Sequence, residues 1–174
     1  MKKLSMLELD RPDVEQFKKS DKNQIIVVLD NVRSALNVGS FFRTCDGFAV
    51  ETLFLTGITA CPPNREIQKT AIGATESVSW EYQENIVDAV TKIKAAGYKV
   101  WGVEQTNQSV MLDQIEMSDQ KIALVFGNEV DGLSEEILPI LDGCIEIPQF
   151  GTKHSLNVAV CGGIVLWEMI RKRK

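Results

Sequence analysis

Residues 25–57 read IIVVLDNVRSALNVGSFFRTCDGFAVETLFLTG, and this stretch decides the fold class. Two apolar runs, 25–29 and 52–57, enclose a segment over 34–48 in which apolar residues recur at helical spacing. A strand, a helix and a second strand in this order form the βαβ unit of parallel sheets. Because the first run is apolar throughout, both faces of its strand are expected to be covered.

The alternation of predicted strands and helices continues along the chain. A helix is predicted over 85–97 with Gly97 as its C-cap, strands over 98–104, 121–127 and 144–148, a helix over 134–143, and a final helix from about Ser155 to Lys172. We therefore expect an α/β fold built on a parallel sheet. Residues 1–22 are polar and irregular, so they are expected to form an N-terminal arm beside a domain covering 23–174.

The composition of the chain argues against several classes of function. With 174 residues, 44% of them hydrophobic, the chain suits one domain. It has no long apolar run or signal peptide, which predicts a cytoplasmic protein without a membrane contact. Four widely spaced cysteines and a single histidine argue against a metal site and against disulfides. Residues 23–170 hold nine basic and nineteen acidic residues, so bulk charge would not attract nucleic acid.

The last predicted helix is unusual, because LNVAVCGGIVLWEMI (156–170) is apolar nearly all the way round. Such a helix is buried on most sides. A second subunit would supply that cover, with Gly162 and Gly163 permitting close approach, and we therefore predict a homodimer. The alternative is a central helix within one subunit.

Three polar, glycine-bearing segments follow predicted strands, at the edge where parallel sheets bind ligands: 30–44, 126–134 and 147–157. Neither GxGxxG nor a P-loop occurs, which weakens NAD and ATP as ligands. His154 and Ser155 are adjacent, but neighbouring side chains diverge in a strand or a helix. A nucleophile pair is therefore disfavoured, and Ser155 is predicted to cap the final helix.

Taken together, these segments resemble the SpoU/TrmH-type RNA ribose 2′-O-methyltransferases of the SPOUT superfamily, over about residues 25–170. The matching motifs are NVRSALNVGSFFRT with Asn31, Arg33, Asn37, Gly39 and Arg43, then LVFGNEVDGLS, then IEIPQFGTKHSLNVAVCGGIVLWE. The resemblance implies a C-terminal deep trefoil knot, S-adenosylmethionine as cofactor, a homodimer and methylation of a ribose 2′-hydroxyl in RNA. Since no extra RNA-binding domain is visible, tRNA is favoured over rRNA. The rival interpretation is a catalytically inactive SPOUT-like protein that binds or assembles RNA.

The resemblance also assigns residues to roles. Arg43 would grip a phosphate and orient the 2′-hydroxyl, since arginine is a poor general base. Asn37 would orient Arg43, and Glu129, Ser155 and Asn157 would hold the loops in register, although Glu129 could equally be a structural carboxylate. The cofactor would lie against Val103, Glu104, Gly127, Ile147 and Leu156, with Gly127 leaving space for the nucleoside.

RNA contacts are expected from Arg33, Arg43, Arg65, Lys69 and Lys153, together with the basic arm and the C-terminal RKRK. Ordinary solvated surface is the alternative for Arg65, Lys69 and the RKRK tail. Two positions depart from the family pattern, Gln149 where methionine is frequent and Ala159 where serine is frequent. Gln149 affects the expected adenine pocket, whereas Ala159 is interpreted as a packing change.

Overall fold

A computed structural model describes residues 1–5, 7–116 and 120–173. The helices are α1 (Val14–Lys19), α2 (Ala35–Gly47), α3 (Arg65–Ala71), α4 (Ala74–Ser77), α5 (Ile86–Ala95) and α6 (Val158–Arg173), with 3₁₀ helices at Leu7–Leu9 and Glu135–Ile140. The strands are β1 (Asn23–Asp30), β2 (Val50–Thr56), β3 (Trp80–Gln83), β4 (Lys99–Val103), β5 (Val110–Met111), β6 (Ile122–Phe126) and β7 (Gly143–Glu146).

The seven strands form one parallel sheet in the order β3-β2-β1-β6-β4-β7-β5. β1 lies inside the sheet, where Val27 is opposite Leu53 of β2 on one side and Leu124 of β6 on the other. All strand ends of one polarity therefore meet at the same edge. The predicted α/β class is confirmed.

Each face of the sheet packs against helices. Ile25, Val27 and Leu29 of β1 point into a core shared with α2, α3 and α6. Ile26 and Val28 point to the opposite face, into a second core shared with α5 and the 3₁₀ helix Glu135–Ile140. Because successive side chains of a strand alternate between faces, a strand covered on both sides must be apolar at every position. This explains the uninterrupted IIVVL run.

Side-chain caps set where the helices of the site begin. The Ser34 hydroxyl accepts a hydrogen bond from the Asn37 backbone N–H, which starts α2. At α6 the capping side chain is Asn157, whose Oδ1 accepts from the backbone N–H groups of the second and third residues after it. The prediction that Ser155 caps this helix was therefore wrong. Ser155 lies in the preceding loop, exposed to solvent.

The segment predicted as a helix over 134–143 forms only the 3₁₀ helix Glu135–Ile140. Pro139 within it has no N–H for an α-helical hydrogen bond. Ser134, just before this helix, makes no capping hydrogen bond; its N–H and hydroxyl both donate to Asp30. The C-cap of α5 is Ala96, and Gly97, predicted as the C-cap, follows it with φ of 87°. Sequence patterns missed α1, α3, α4, β3 and β5, all of which are short.

Basic side chains at the C-terminus donate hydrogen bonds to backbone carbonyl oxygens of the same chain. Lys172 Nζ donates to the carbonyl oxygens of Asp113 and Ile115 at 2.8 and 2.6 Å. Arg173 donates to those of Gln24 and Gln120. Arg171 is paired with a carboxylate one turn earlier on α6. These cations fasten α6 to the body of the domain, so the predicted contact of RKRK with RNA would have to coexist with or replace these bonds; Lys174 lies outside the described residues.

The crossing of α2 over α3 supplies a test of the packing. At Gly39 a Cβ would lie 2.1 Å from Thr70 Oγ1 and 2.3 Å from the Ile67 carbonyl oxygen. We expect Gly39→Ala to lower the free energy of unfolding by about 1–3 kcal/mol, because the helices must separate to admit the methyl group. Urea denaturation of both proteins measures the difference.

Gly47→Ala is the matched control for that prediction. Gly47 is on the same helix, but a Cβ there meets no atom within 4 Å. Alanine also has the higher helix propensity, so Gly47→Ala should leave stability unchanged or slightly raised. Equal losses in the two variants would contradict the described helix crossing.

Candidate functional site

A cleft of about 580 Å³ opens at the carboxyl ends of β4, β6 and β7. Three loops line it, one after each strand, and the start of α6 closes one side. The lining residues are Val103, Glu104, Gln105, Phe126, Gly127, Asn128, Glu129, Val130, Asp131, Gly132, Ile145, Glu146, Ile147, Gln149, His154, Ser155, Leu156, Asn157, Val158 and Cys161. Its position is the one that parallel α/β sheets favour for ligands.

One amide side chain ties the predicted loops together. Asn37, in the first turn of α2, donates from Nδ2 to Glu129 Oε1 at 2.8 Å. Its Oδ1 accepts from Asn157 Nδ2 at 3.2 Å. The backbone N–H of Arg33 also donates to Glu129, to Oε2 at 3.3 Å. Residues from all three sequence motifs therefore meet at one point on the rim of the cleft.

The Asn37 amide contacts Glu129 and Asn157, and no hydrogen bond joins it to Arg43 in the described part of the chain. Its predicted role of orienting Arg43 stays a prediction. Arg43 is exposed on α2, does not line the cleft, and has no hydrogen-bond or ion-pair partner in the part of the chain that the structure describes. Any contact of its guanidinium with a substrate must therefore be made outside the cleft of its own chain.

The environment of Glu129 favours its charged form. Partial burial of this carboxyl pushes its pKa upward, but hydrogen bonds from Asn37 and from the backbone N–H groups of Glu129, Arg33 and Ser34 outweigh that effect and lower the pKa below its ordinary value of 4.5. Glu129 is thus a carboxylate at neutral pH. A carboxylate with a lowered pKa is a weak base, which favours a positioning role over proton abstraction.

The loop after β6 folds back on itself at Gly127. Asn128 and Gly132 form an antiparallel bridge, and Asn128 Oδ1 accepts the N–H groups of Val130 and Asp131. A Cβ on Gly127 would lie 2.2 Å from the Gly132 carbonyl carbon. A glycine is therefore required here by the loop backbone itself. Gly127 also lines the cleft, so its predicted role of leaving space for the nucleoside stays a prediction.

Two acidic side chains at strand ends hold this loop against the sheet. Glu104, after β4, accepts the Leu133 N–H through Oε2 at 3.1 Å. Asp30, buried at the end of β1, accepts the Ser134 N–H at 2.7 Å and the Ser134 hydroxyl at 3.0 Å. Sequence reasoning missed Asp30, although a carboxylate ending a continuous apolar strand is itself a signal of a buried polar anchor.

The predicted site residues separate into two groups. Those predicted for the cofactor, namely Val103, Glu104, Gly127, Ile147 and Leu156, all line the cleft, as do Glu129, Ser155 and Asn157. The residues predicted for RNA lie outside it. Of these, Arg33 pairs with Asp131 at 3.6 Å and Lys69 with Glu66 at 2.6 Å. Arg65 and Lys153 are exposed and without a partner among the described residues.

The lining of the cleft is negatively charged. Four carboxylates line it, those of Glu104, Glu129, Asp131 and Glu146, and no lysine or arginine is among the lining residues that the structure describes. Such a cleft attracts a cation and repels phosphate. S-adenosylmethionine fits this setting, because its sulfonium is positive, its ribose hydroxyls can donate to carboxylates, and its size suits a cavity of this volume.

Metal and thiol chemistry find no support. Within residues 1–5, 7–116 and 120–173 no group of three or more His, Cys, Asp or Glu is placed to hold a metal ion. The four cysteines are free. Burial raises the pKa of the Cys161 thiol, which lines the cleft, to about 11, so it is neutral at physiological pH.

Over the same ranges, no helix has the length and apolar character needed to span a membrane.

Comparison with known proteins agrees with this geometry. The SpoU rRNA Methylase family matches residues 24–167. The tRNA (guanosine(18)-2′-O)-methyltransferase of Aquifex aeolicus is 34% identical over 164 residues, which are 92% of this chain and 74% of that protein. The mouse tRNA (guanosine(18)-2′-O)-methyltransferase TARBP1 is 33% identical over 97% of this chain, which spans only 11% of the mouse protein.

A solved structure shows the same fold. The AdoMet-bound rRNA methyltransferase of Sinorhizobium meliloti has a TM-score of 0.80 and 29% identity, over 89% of this chain and 59% of that one. The chain therefore belongs to the SpoU rRNA Methylase family. The predicted family, the RNA methyltransferase class and S-adenosylmethionine as the family's cofactor are confirmed.

The hydrogen bonds to Glu129 generate a pH-dependent prediction. Because its folded pKa lies below the ordinary value of 4.5, the ionised group stabilises the fold above that pH, and this contribution is lost as pH falls through the folded pKa. We expect Glu129→Gln to be less stable than the wild type from pH 5 to 8, with the difference narrowing below about pH 4.5. Urea titrations at each pH measure it.

The control is Glu84→Gln, which removes an exposed carboxylate away from the cleft that has no partner in the described ranges. Its stability should follow the wild type across the same pH values. A Glu129→Gln difference that stays constant down to pH 3 would contradict the described hydrogen bonds.

Proposed function

We propose that this protein methylates a ribose 2′-hydroxyl in RNA with S-adenosylmethionine as the methyl donor. The observation that carries the proposal is the junction of Asn37, Glu129 and Asn157, which brings all three family motifs to the rim of one acidic cleft. The same junction argues against the rival, an inactive RNA-binding protein, because a chain that had lost catalysis would not need this alignment.

The cofactor is proposed to lie in the cleft. Ile147 and Leu156 offer apolar surface to its adenine, and Val103 and Glu104 at the end of β4 line the same cleft. Bound S-adenosylmethionine supplies an electrophilic methyl group. The chain's own task is then to place the target hydroxyl and exclude competing groups, with Asn157 holding the loop that faces the substrate through its hydrogen bonds and Ser155 presenting its hydroxyl to the cleft.

Arg43 is proposed to grip the RNA backbone. Its side chain is exposed and has no partner among the described residues, so its guanidinium is available to bind an RNA phosphate. The acidic lining keeps phosphates out of the cleft, so the RNA backbone must be held at its edge. Arg65, Lys153 and the basic residues of the proposed arm over 1–22 would add phosphate contacts.

A homodimer is proposed from the surface of α6. Val160, Ile164 and Trp167 form a stripe at helical spacing and are 54%, 39% and 59% exposed. Gly163 lies on the same side, where a Cβ would meet no atom within 4 Å, so another helix can approach closely. Gly162 does not share this role, because a Cβ there would lie 2.3 Å from the Phe41 ring. The predicted trefoil knot would close around this same helix.

The RNA is proposed to be tRNA. Both curated relatives described above are named as tRNA methyltransferases. A compact tRNA also presents many phosphates to a small dimer. Ribosomal RNA is the second candidate, since the Sinorhizobium meliloti neighbour is named an rRNA methyltransferase.

Methyl transfer to defined RNAs tests the proposed function. Unmodified tRNA transcripts and deproteinised ribosomal RNA would be incubated with the protein and radiolabelled S-adenosylmethionine, then digested to nucleosides for mass spectrometry. We expect a 2′-O-methylated nucleoside. Methylation of a base would contradict the ribose chemistry, and binding of both cofactor and RNA without transfer would favour the inactive rival.

Arg43 supplies a prediction for the chemical step. We expect Arg43→Ala to lower kcat/KM for RNA by about 10²-fold or more, because the substrate loses its positioning group. The melting temperature and the calorimetric affinity for S-adenosylmethionine should not change, since the side chain is exposed and lies outside the cleft.

Arg65→Ala is the control for Arg43, because Arg65 is another exposed arginine without a partner among the described residues. We expect it to lower kcat/KM only a few-fold. Full turnover by Arg43→Ala would remove this residue from the mechanism.

The dimer supplies the last prediction of this section. Ile164 on α6 and Leu138 on the opposite face of the sheet are both 39% exposed. We expect Ile164→Glu to be monomeric, because a charge would be buried in the interface, and Leu138→Glu to remain dimeric. Light scattering at micromolar concentration measures both masses, and a monomeric wild type would contradict the proposal.

A further inference from the structure

Phe150 is the most exposed aromatic side chain of the site region. It lies in the loop between β7 and α6 and is 97% exposed. Phenylalanine is normally buried, because its ring cannot hydrogen-bond to water. Packing within the described chain therefore does not account for an aromatic residue at this position.

Phe150 belongs to a loop that borders the cleft. Gln149 immediately before it lines the cleft, and the same loop returns to the cleft at His154, Ser155 and Leu156. Phe150 is not itself among the lining residues, so it lies between two points where the loop touches the cavity. Its exposed side chain is therefore available to a molecule that binds at this edge of the cleft.

The charges around the ring suit RNA. The cleft is lined by carboxylates, whereas the rim loop carries Lys153, which is exposed and without a partner in the described part of the chain, and His154, which is also exposed. An exposed aromatic residue and a free cation within three residues of each other in one loop can hold single-stranded RNA, the base stacking on the ring and the phosphate pairing with the cation.

We propose that Phe150 is the stacking platform for an unpaired nucleobase at or next to the target nucleotide, with Lys153 contacting a neighbouring phosphate. The proposal rests on the proposed RNA methylation and deepens it, because it names the substrate as a nucleotide that is unstacked from its neighbours. Phe150 is a positioning residue: stacking on its ring would bring the ribose of that nucleotide to the mouth of the cleft. Stacking tolerates any base, so the loop would select unpaired structure more than sequence.

A second copy of the chain is the other occupant to consider for this ring. The residues that follow it, Gly151 to Ser155, are small or polar and include an unpaired lysine. Lysine and serine are depleted in protein interfaces, whereas they commonly contact phosphates. The apolar stripe of α6 is the better surface for a second copy, which leaves the rim loop to the substrate.

The test compares four variants, Phe150→Ala, Phe150→Leu, Phe150→Tyr and Phe150→Trp. Leucine keeps an apolar side chain of similar size but has no aromatic face, so it separates stacking from simple packing. The readouts are KM and kcat with unmodified tRNA transcripts and ribosomal RNA, calorimetric affinity for S-adenosylmethionine, and mass by light scattering.

We expect the alanine and leucine variants to raise KM for the methylated RNA about 5- to 100-fold, the range for loss of one stacked base. Tyrosine and tryptophan should restore KM to within about threefold of the wild type, since they keep the aromatic face. Cofactor affinity and mass should be the same in all five proteins.

Three results would overturn the proposal: leucine acting as well as tryptophan, a loss of dimer mass in the alanine variant, or an unchanged KM in all variants. Failure of the proposed function is recognised separately, because the wild type would then transfer no methyl group to either RNA. In that case the affinity of fluorescently labelled tRNA transcript for the same variants still decides whether Phe150 stacks on RNA.

Discussion

The site depends on one amide side chain. Asn37 donates to Glu129 and accepts from Asn157, so a residue of α2 joins the loop after β6 to the start of α6. Each loop follows a different strand, and a parallel sheet brings the strand ends together but does not fix the loops relative to one another. The hydrogen bonds at Asn37 provide that relation, and the shape of the cleft follows from it.

The second constraint is the separation of charge between the cleft and its surroundings. Carboxylates line the cleft and suit a cationic cofactor, while the cations without partners, such as Arg43 and Lys153, lie outside it. In the proposed function, RNA phosphates would therefore be excluded from the cavity and attracted to its edge. An acidic protein can in this way serve an RNA substrate: its net charge of −5 describes the whole surface, not the part that would meet the RNA.

The parallel α/β class and the location of the cleft were predictable from sequence, because continuous apolar runs and polar loops after strands are local signals, although the strand order and the short strands β3 and β5 were not. The choice between Ser155 and Asn157 as the helix cap was not, since both residue types can cap and only the contact of Asn157 with Asn37 distinguishes them. The packing partners of Gly127 and of the basic tail could not be predicted for a related reason. Their partners, the Gly132 backbone and the carbonyls of distant loops, become neighbours only in the folded chain.

The most direct test of the account is a double-mutant cycle on the two partners of Asn37. Glu129→Gln and Asn157→Ala would be made singly and together, in the wild type and in an Asn37→Ala background, and the affinity for S-adenosylmethionine measured by calorimetry. We predict a coupling energy between the two sites of about 0.5–3 kcal/mol when Asn37 is present and none when it is absent. Additive effects in the wild-type background would contradict the claim that Asn37 holds the loops of the cleft as one unit.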